Sequence, residues 1–329
     1  MHYRRLLVLL SLLIVFCAPA SAPAQEKLRL AWAGFSPTNS PIWTIEDRKL
    51  LQKQGVQPEI IAINNSPTVL QALLADEIDA ASISVTTLTS SRLAGADTVM
   101  IVGVVPTFVD HIISVSSITA VEQLKGKTGG VNRLGTTSDL GLRLALSKLG
   151  IEPDKDVKII PTGGTAERFA ALSKGITQFT IIPEPFVTQA EKLGFRNLSN
   201  ISDLKIPFWW NGILSRESIV KSKRPLMLKL GRAMIEAIHI LKTEKEYAKA
   251  LFKKNLGVAD PEGLDRAYRD YSNAFPEVPY PTPDGVKTML DYLARTNPKA
   301  SAADPNAFVD TSLVAELDKS GFIKQLYKK

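Results

Sequence analysis

Strand patterns alternate with helix patterns along the first two hundred residues of this chain. Lys27–Ala33 alternates polar and apolar residues as a strand does, and a turn-rich loop and a helical segment over 42–54 follow it. Gln57–Ile63, Ala80–Ser84 and Thr98–Val105 continue the series, with helical segments between them. Strands that alternate with helices form mainly parallel sheets with helices on both faces. The pattern therefore predicts an α/β fold.

The alternation is interrupted near residues 106–110 and stops after residue 215. Between these points a second series of strands and helices begins at Ile112, and an aromatic strand is predicted over Ile206–Leu214. Beyond residue 215 the periodicity is helical, with prolines in the breaks between segments. We therefore expect two α/β units followed by a helical C-terminal region.

The N-terminus has the pattern of a secretory signal peptide. A short basic start precedes the apolar run Leu6–Phe16, which is too short to span a bilayer. Ala22-Pro23-Ala24 then supplies the small residues that precede a cleavage site. We expect residues 1–24 to be removed after Ala24 and the mature chain to be periplasmic. A lipid anchor on Cys17 is the alternative, which the bulky residue before it disfavours.

Composition excludes several kinds of function. Cys17 is the only cysteine, so the mature chain has no disulfide and no cysteine-based nucleophile or metal site. The net charge of +7 comes from scattered basic residues without interleaved aromatic residues, so we expect no nucleic-acid partner. No later apolar stretch reaches spanning length, so we expect no stable membrane insertion. His111 and His239 are isolated, and we expect no enzyme activity, cofactor or metal.

The loops after the strands of the first unit are rich in Ser, Thr and Asn and almost free of charge. Ligands of such sheets bind beyond the carboxyl ends of the strands. A few polar groups on an apolar and aromatic wall are typical of a small-molecule pocket. The candidate ligand-binding residues of the first unit are Trp32, Ser36, Thr38, Asn39, Asn64, Ser66, Ser84 and Thr86.

A polar turn in the second unit separates a strand ending at Val131 from a helix that begins near Thr137. Helix N-termini carry unsatisfied N–H groups and a partial positive charge, so this turn suits an anion. A similar turn precedes a helix near residue 165. The candidate ligand-binding residues of these turns are Arg133, Thr136, Thr137, Ser138, Gly164 and Thr165. The alternative is that the hydroxyls only cap the helices.

Glu184 and two tryptophans complete the candidate set. Glu184 stands at the carboxyl end of a predicted strand, where it binds a ligand cation or, alternatively, caps the following helix. In the predicted strand over 206–214, the rings of Trp209 and Trp210 point to opposite faces. We choose Trp209 as the candidate that faces the ligand.

Several segments resemble the periplasmic substrate-binding proteins of ABC importers for sulfonates such as taurine, for nitrate or bicarbonate, and for thiamine pyrimidine precursors. The matching segments are Pro41-Ile42-Trp43, Leu51–Val56, Val69–Ala80, Leu124–Lys127 and Glu184-Pro185-Phe186. Their order and spacing, behind a signal peptide, carry the resemblance.

The resemblance implies a two-lobed, Venus-flytrap fold of the type II periplasmic-binding-protein class. Residues 25–105 and 210–329 would form the first lobe, and residues 106–209 would form the second, with hinge crossings at both of its ends. A ligand would bind between the lobes, and the closed form would deliver it to a permease driven by an ATPase. The receptor would be monomeric and would have no cofactor.

Among the ligands of the resembled family we favour a small organic anion, a carboxylate or a sulfonate. Arg133 and the hydroxyls of 136–138 favour this interpretation. The alternative is a pyrimidine, thiamine precursor or other aromatic heterocycle, which Glu184 and the tryptophans would suit. A pyrimidine-precursor synthase-like enzyme and a sensory receptor are less favoured interpretations, the enzyme because the mature chain lacks cysteine.

Overall fold

A computed structural model describes residues 26–63, 65–295 and 297–328. The predicted leader and the candidate residue Asn64 lie outside the described residues. Within them the strands form two five-stranded sheets, each flanked by helices, so the predicted α/β class is confirmed. The strands are β1 (Glu26–Ala33), β2 (Val56–Ile63), β3 (Ala80–Ile83), β4 (Thr98–Val105), β5 (Asp110–Ser114), β6 (Thr128–Val131), β7 (Lys158–Pro161), β8 (Phe179–Pro183), β9 (Arg196–Asn200) and β10 (Asn211–Arg216).

The helices cover both sheets and then form the C-terminal region. They are α1 (Ser40–Asp47), α2 (Ser66–Leu74), α3 (Val85–Leu93), α4 (Thr137–Lys148), α5 (Thr165–Ser173), α6 (Phe186–Lys192), α7 (Glu217–Ser222), α8 (Arg224–Thr243), α9 (Lys245–Leu256), α10 (Pro261–Ala274), α11 (Asp284–Leu293), α12 (Pro298–Ser301), α13 (Ser312–Lys319) and α14 (Phe322–Leu326). Short 3-10 turns lie at Pro37–Asn39, Gln52–Gln54, Val121–Leu124, Ile201–Leu204 and Pro305–Phe308. No helix of the described segments is long and apolar enough to cross a membrane.

The two sheets share one topology. The first has the strand order β2-β1-β3-β10-β4, and the second has the order β7-β6-β8-β5-β9. In each sheet the fourth strand is antiparallel to both of its neighbours. That strand is the one the chain enters directly after it crosses from the other sheet. The parallel pairing of β1 with β2 and β3 agrees with the predicted alternation.

Several predicted element boundaries are wrong. The helix predicted over 42–54 ends at Asp47, and Lys49 then takes a left-handed backbone with φ of 54°. The aromatic strand starts at Asn211 and not at Ile206, because residues 205–210 form the second chain crossing. Helix α2 is capped by the side chain of Asn65, which accepts a hydrogen bond from Thr68 N, and Ser66 is its first residue.

Burial on both faces explains why the sequence of strand β4 is almost entirely apolar, with Thr98 as its one polar residue. All eight of its residues are buried, because helices cover both faces of the sheet. Helix α8, the longest of those described, packs against α1 and β4 and joins the C-terminal region to the first sheet. The C-terminal helices therefore belong to the same packed body as the first sheet.

Ion pairs connect the C-terminal helices to the second sheet. Arg266 on α10 places Nε 2.6 Å from Glu184 Oε1 and Nη1 2.6 Å from Glu191 Oε2. Lys192 Nζ at the end of α6 lies 2.6 Å from Asp260 Oδ1 at the start of α10. These contacts fasten α6 to α10.

Trp209 occupies a slot that two glycines create. A Cβ atom at Gly103 of β4 would lie 2.3 Å from Trp209 Cη2, and one at Gly285 of α11 would lie 2.6 Å from Trp209 Cδ1. The indole Nε1 donates to Thr282 O at 2.8 Å. The second crossing is thus anchored in the first lobe by a buried ring.

Gly103→Ala is expected to lower the free energy of unfolding by about 1–3 kcal/mol, because the added methyl group overpacks the Trp209 slot. Gly231→Ala on α8 is the control, since its Cβ would meet only the flexible end of Leu317 at 3.1 Å and alanine favours helix. Urea unfolding followed by circular dichroism measures both. Equal effects of the two changes would contradict the proposed tight slot.

Candidate ligand-binding site

A cavity of about 100 Å³ lies between the carboxyl ends of the two sheets. Both sheets and the second chain crossing contribute to its wall. It brings together nine of the predicted residues, namely Ser36, Thr38, Ser66, Ser84, Thr136, Thr137, Ser138, Gly164 and Thr165. It also includes Asn65, Ser82, Asp110, Asn132, Arg168, Trp210 and Asn211, which were not among the candidates.

The wall contributed by the first sheet is a neutral network of amides and hydroxyls. Asn39 does not line the cavity, because its Nδ2 donates to Ala33 O and Gly34 O and so holds the loop after β1. Ser82 Oγ donates to Asn39 Oδ1 at 2.8 Å, and Asn211 Nδ2 contacts both Ser82 Oγ and Thr38 O at 3.3 Å. These bonds fix the polar groups that face the cavity.

The helices that start at this wall are capped by the chain itself. Asn65 caps α2, and Ser84 Oγ accepts from Thr87 N to cap α3. Ser84 Oγ also contacts the hydroxyl of Thr86 at 2.8 Å, so Thr86 supports the cap and does not line the cavity. Asn65 and Ser84 therefore cap helices and line the cavity at the same time.

The helices that start at the opposite wall differ. Neither Thr136, the N-cap residue of α4, nor Gly164, the N-cap residue of α5, makes a side-chain cap bond among the described residues. Thr136 Oγ1 instead donates to Arg133 O, and Ser138 Oγ accepts from Asn132 N. Two helix N-termini therefore present backbone N–H groups and partial positive charge to the cavity.

Arg168 supplies a positive charge that the sequence analysis missed. It lies on α5, is only 3% exposed and lines the cavity. Its Nε donates to Ile181 O at 2.8 Å, and the two terminal nitrogens contact Gly163 O and Thr165 Oγ1 at 3.3 Å. Burial lowers the pKa of this guanidinium, while Asp110 raises it. The sequence did contain a signal, because Arg168 stands three and four residues before Ala171 and Leu172, which places it on the same, buried face of the helix.

Asp110 is the second buried charge of the cavity. It is the first residue of β5, directly after the first crossing, and it is fully buried. Burial raises its pKa to about 7, and the Arg168 guanidinium opposes that shift. The guanidinium of Arg168 and the carboxyl group of Asp110 thus both line the cavity from the second lobe.

Three other candidates, Arg133, Trp209 and Trp32, lie away from the cavity. Arg133 is exposed and lines a larger, adjoining pocket of about 450 Å³, since the turn carries its side chain outward. Trp209 fills the glycine slot, and Trp210 has the position at the cavity that we predicted for Trp209. Trp32 is buried below the site, edge-on to Phe35 and Trp43.

Glu184 has the alternative role, that of a helix cap. Its Oε2 accepts hydrogen bonds from Thr188 N at 3.1 Å and from Thr188 Oγ1 at 2.8 Å, at the start of α6. Its other oxygen faces Arg266. Burial raises its pKa to about 7, while the Thr188 hydrogen bonds and Arg266 lower it. Glu184 is therefore occupied by protein groups and does not line the cavity.

The family follows from comparison with known proteins. The model of the NMT1-like family matches residues 21–254, which is more than half of the chain. The chain belongs to the NMT1-like family. A search of curated protein sequences finds no match.

Solved structures similar to this NMT1-like protein have the periplasmic-binding-protein fold. The aliphatic sulphonate binding protein SsuA from Escherichia coli is 22% identical, with a TM-score of 0.70 and coverage of 87% of this chain and 92% of that chain. SsuA from Xanthomonas axonopodis, an alkanesulfonate-binding protein bound to MOPS, is 19% identical with a TM-score of 0.69, covering 89% and 98%. The nitrate-binding protein NrtA from Synechocystis is 14% identical with a TM-score of 0.68, covering 90% and 89%.

The stability of the NMT1-like protein is expected to depend on pH through Asp110 and Glu184. Both folded-state pKa values lie near 7 and above the usual carboxyl range, so the folded state binds more protons than the unfolded state between about pH 4 and 7. The free energy of unfolding should therefore fall as the pH rises through this window. Urea unfolding at several pH values measures the slope.

Asp110→Asn removes one of these two contributions without changing the size of the side chain. The variant should show a shallower pH dependence and should be more stable than the wild type at pH 8. A steeper slope in the variant, or stability of the wild type that rises from pH 5 to pH 7, would contradict this assignment.

Proposed function

We propose that this protein is a periplasmic solute-binding receptor of an ABC importer, which captures a small organic anion between its two lobes and delivers it to the permease. The receptor itself carries out no reaction. Residues 25–105 and 210–329 form the first lobe in this proposal, residues 106–209 form the second, and the leader directs export. The ligand is a carboxylate or a sulfonate.

The observation that supports an anionic ligand is the positive charge on one side of the cavity. The guanidinium of Arg168 and the uncapped N-termini of α4 and α5 converge there, and an anion is stabilised by each of them. The opposite wall adds neutral donors such as the Ser36 and Ser66 hydroxyls. A cavity of about 100 Å³ suits a ligand of a few heavy atoms.

The comparisons support the same ligand class. Two of the similar structures are named as sulfonate-binding proteins and a third as a nitrate-binding protein. All three names describe oxyanion ligands. We extend this to the present chain because its own cavity has the charge that such ligands need.

An aromatic heterocycle such as a pyrimidine is the second candidate. Trp210 favours it, because the indole lines the cavity next to the edge of Phe108, at 5.8 Å between ring centroids. A flat ring could stack on this indole. The buried cation opposite makes the anion the better fit.

A ligand that binds only the folded protein should raise its melting temperature, with a stabilisation of about 2.7 kcal/mol at a hundredfold excess over the dissociation constant. We expect short carboxylates or sulfonates to do so in a thermal shift screen that also contains nitrate, neutral sugars and pyrimidines. Stabilisation by a pyrimidine alone would replace the anion with the second candidate. Silence across the panel would contradict the receptor proposal.

Arg168→Gln should weaken binding of the anion found in that screen by about 1.5–3 kcal/mol, because one charged hydrogen-bond partner is lost. Arg133→Gln is the matched control, since this arginine is exposed in the adjoining pocket and should change the affinity little. Isothermal titration calorimetry measures both, and circular dichroism checks that each variant folds. A larger loss in the Arg133 variant would reverse the assignment.

A further inference from the structure

We propose that the ligand carries an amine as well as an anionic group, and that Asp110 is the residue that recognises the amine. The inference rests on the proposed function, because it concerns the same cavity. It narrows the ligand class from small organic anions to small ampholytes, of which ω-amino carboxylates and aminosulfonates are the simplest.

The starting observation is that Asp110 has no partner. Both of its carboxylate oxygens are fully buried, and neither has a hydrogen-bond partner among the described residues. Buried polar groups are almost always hydrogen-bonded, and an unpaired buried carboxylate is costly. Asp110 lines the ligand cavity, so its missing partner can come from a ligand in that cavity.

The titratable neighbours of Asp110 do not donate a hydrogen bond to its carboxylate. Arg168, which faces it from α5, donates to Ile181 O, Gly163 O and Thr165 Oγ1 and forms no hydrogen bond with Asp110. Tyr271 faces it from α10, and burial raises the pKa of this phenol well above its usual value, so the group is neutral. Asp110 therefore has a cation nearby and no donor in contact.

Glu184 is a second buried acid in the same lobe, and its carboxylate has protein partners. Both acids are fully buried, and both stand at the cavity-side ends of neighbouring strands, since Asp110 of β5 pairs with Pro183 of β8. Glu184 nevertheless accepts two hydrogen bonds from Thr188 on Oε2, its Oε1 is paired with the Arg266 guanidinium at 2.6 Å without a hydrogen bond, and it lies off the cavity. The fold supplies partners to the acid that serves structure and none to the acid that faces the ligand.

The arrangement of charges fits a dipolar ligand. Its anionic end would face Arg168 and the starts of α4 and α5, and its ammonium group would donate hydrogen bonds to Asp110. Such charge-assisted hydrogen bonds are stronger than neutral ones. A ligand that has only an anionic end would leave Asp110 without a partner and would place a second negative charge near it.

The test uses matched pairs of ligands on the full mature chain. β-Alanine is compared with propionate, and taurine with ethanesulfonate, by isothermal titration calorimetry. A series of two to six carbons with and without a terminal amine extends both pairs. We expect the amino member of a pair to bind at least about tenfold more tightly, the lower end of the effect of a charged hydrogen bond.

Asp110→Asn keeps the shape of the side chain and removes its charge, so it should reduce that preference to about threefold or less while anion binding is retained. Asp203→Asn is the matched control, because Asp203 is an exposed residue in the turn Ile201–Leu204 of the same lobe, and it should leave the preference unchanged. Thermal unfolding checks that both variants fold.

The outcomes separate the two proposals. Equal affinity within each pair, or an amine preference that survives in Asp110→Asn, would overturn the role of Asp110 and leave the anion receptor standing. Failure of every anion in the series to bind, with or without an amine, would overturn the receptor proposal itself.

Discussion

Two stacked aromatic rings hold the chain crossings together, and the cavity depends on them. Phe108 in the first crossing and Phe208 in the second lie parallel, with 4.3 Å between ring centroids and 6° between planes. Gly141 of α4 packs so closely on Phe108 that a Cβ atom there would lie 2.7 Å from the ring. Asp110 follows Phe108 by two residues, and Trp210 follows Phe208 by two. The stack therefore fixes where both residues meet the ligand cavity.

The two lobes contribute unequally to the charge at the cavity. The first lobe caps its own helix starts with Asn65 and Ser84 and presents hydroxyls and amides that are already bonded to one another. The second lobe leaves two helix starts uncapped and places Arg168 and Asp110 at the cavity. The charged side chains at the cavity thus come from the second lobe, while the lining residues of the first are neutral.

The sequence predicted the fold class because periodicity is a local property. Alternating and helical patterns mark the strands and helices of both units, and the direction rule for such sheets places their loops at one edge. The reversed direction of β5 and β10 is set by long-range pairing, which no local pattern records. The two crossings were visible only as breaks in the alternation.

The candidate site was predicted less well, because side-chain direction decides it. Trp209 and Trp210 were assigned to opposite faces, but the choice between them depended on where β10 begins, and it begins after both. Arg133 is carried outward by a turn, whereas Arg168 is turned inward from a helix face that otherwise buries apolar residues. Asp110 gave no sequence signal, since its burial arises from the packing of both lobes.

The position of β4 in the first sheet also affects the order in which the two sheets can form during synthesis. Among the described strands, β4 pairs only with β10, which the ribosome supplies about a hundred residues later. The second sheet has a shorter delay, because β5 pairs with β8, which begins about 65 residues after β5 ends. The sheet that is encoded in the middle of the chain can therefore form first, while the mainly apolar β4 still lacks its partner strand. Exposed apolar strands of this kind invite aggregation, so the newly made chain has its greatest need of a chaperone before residue 216 emerges.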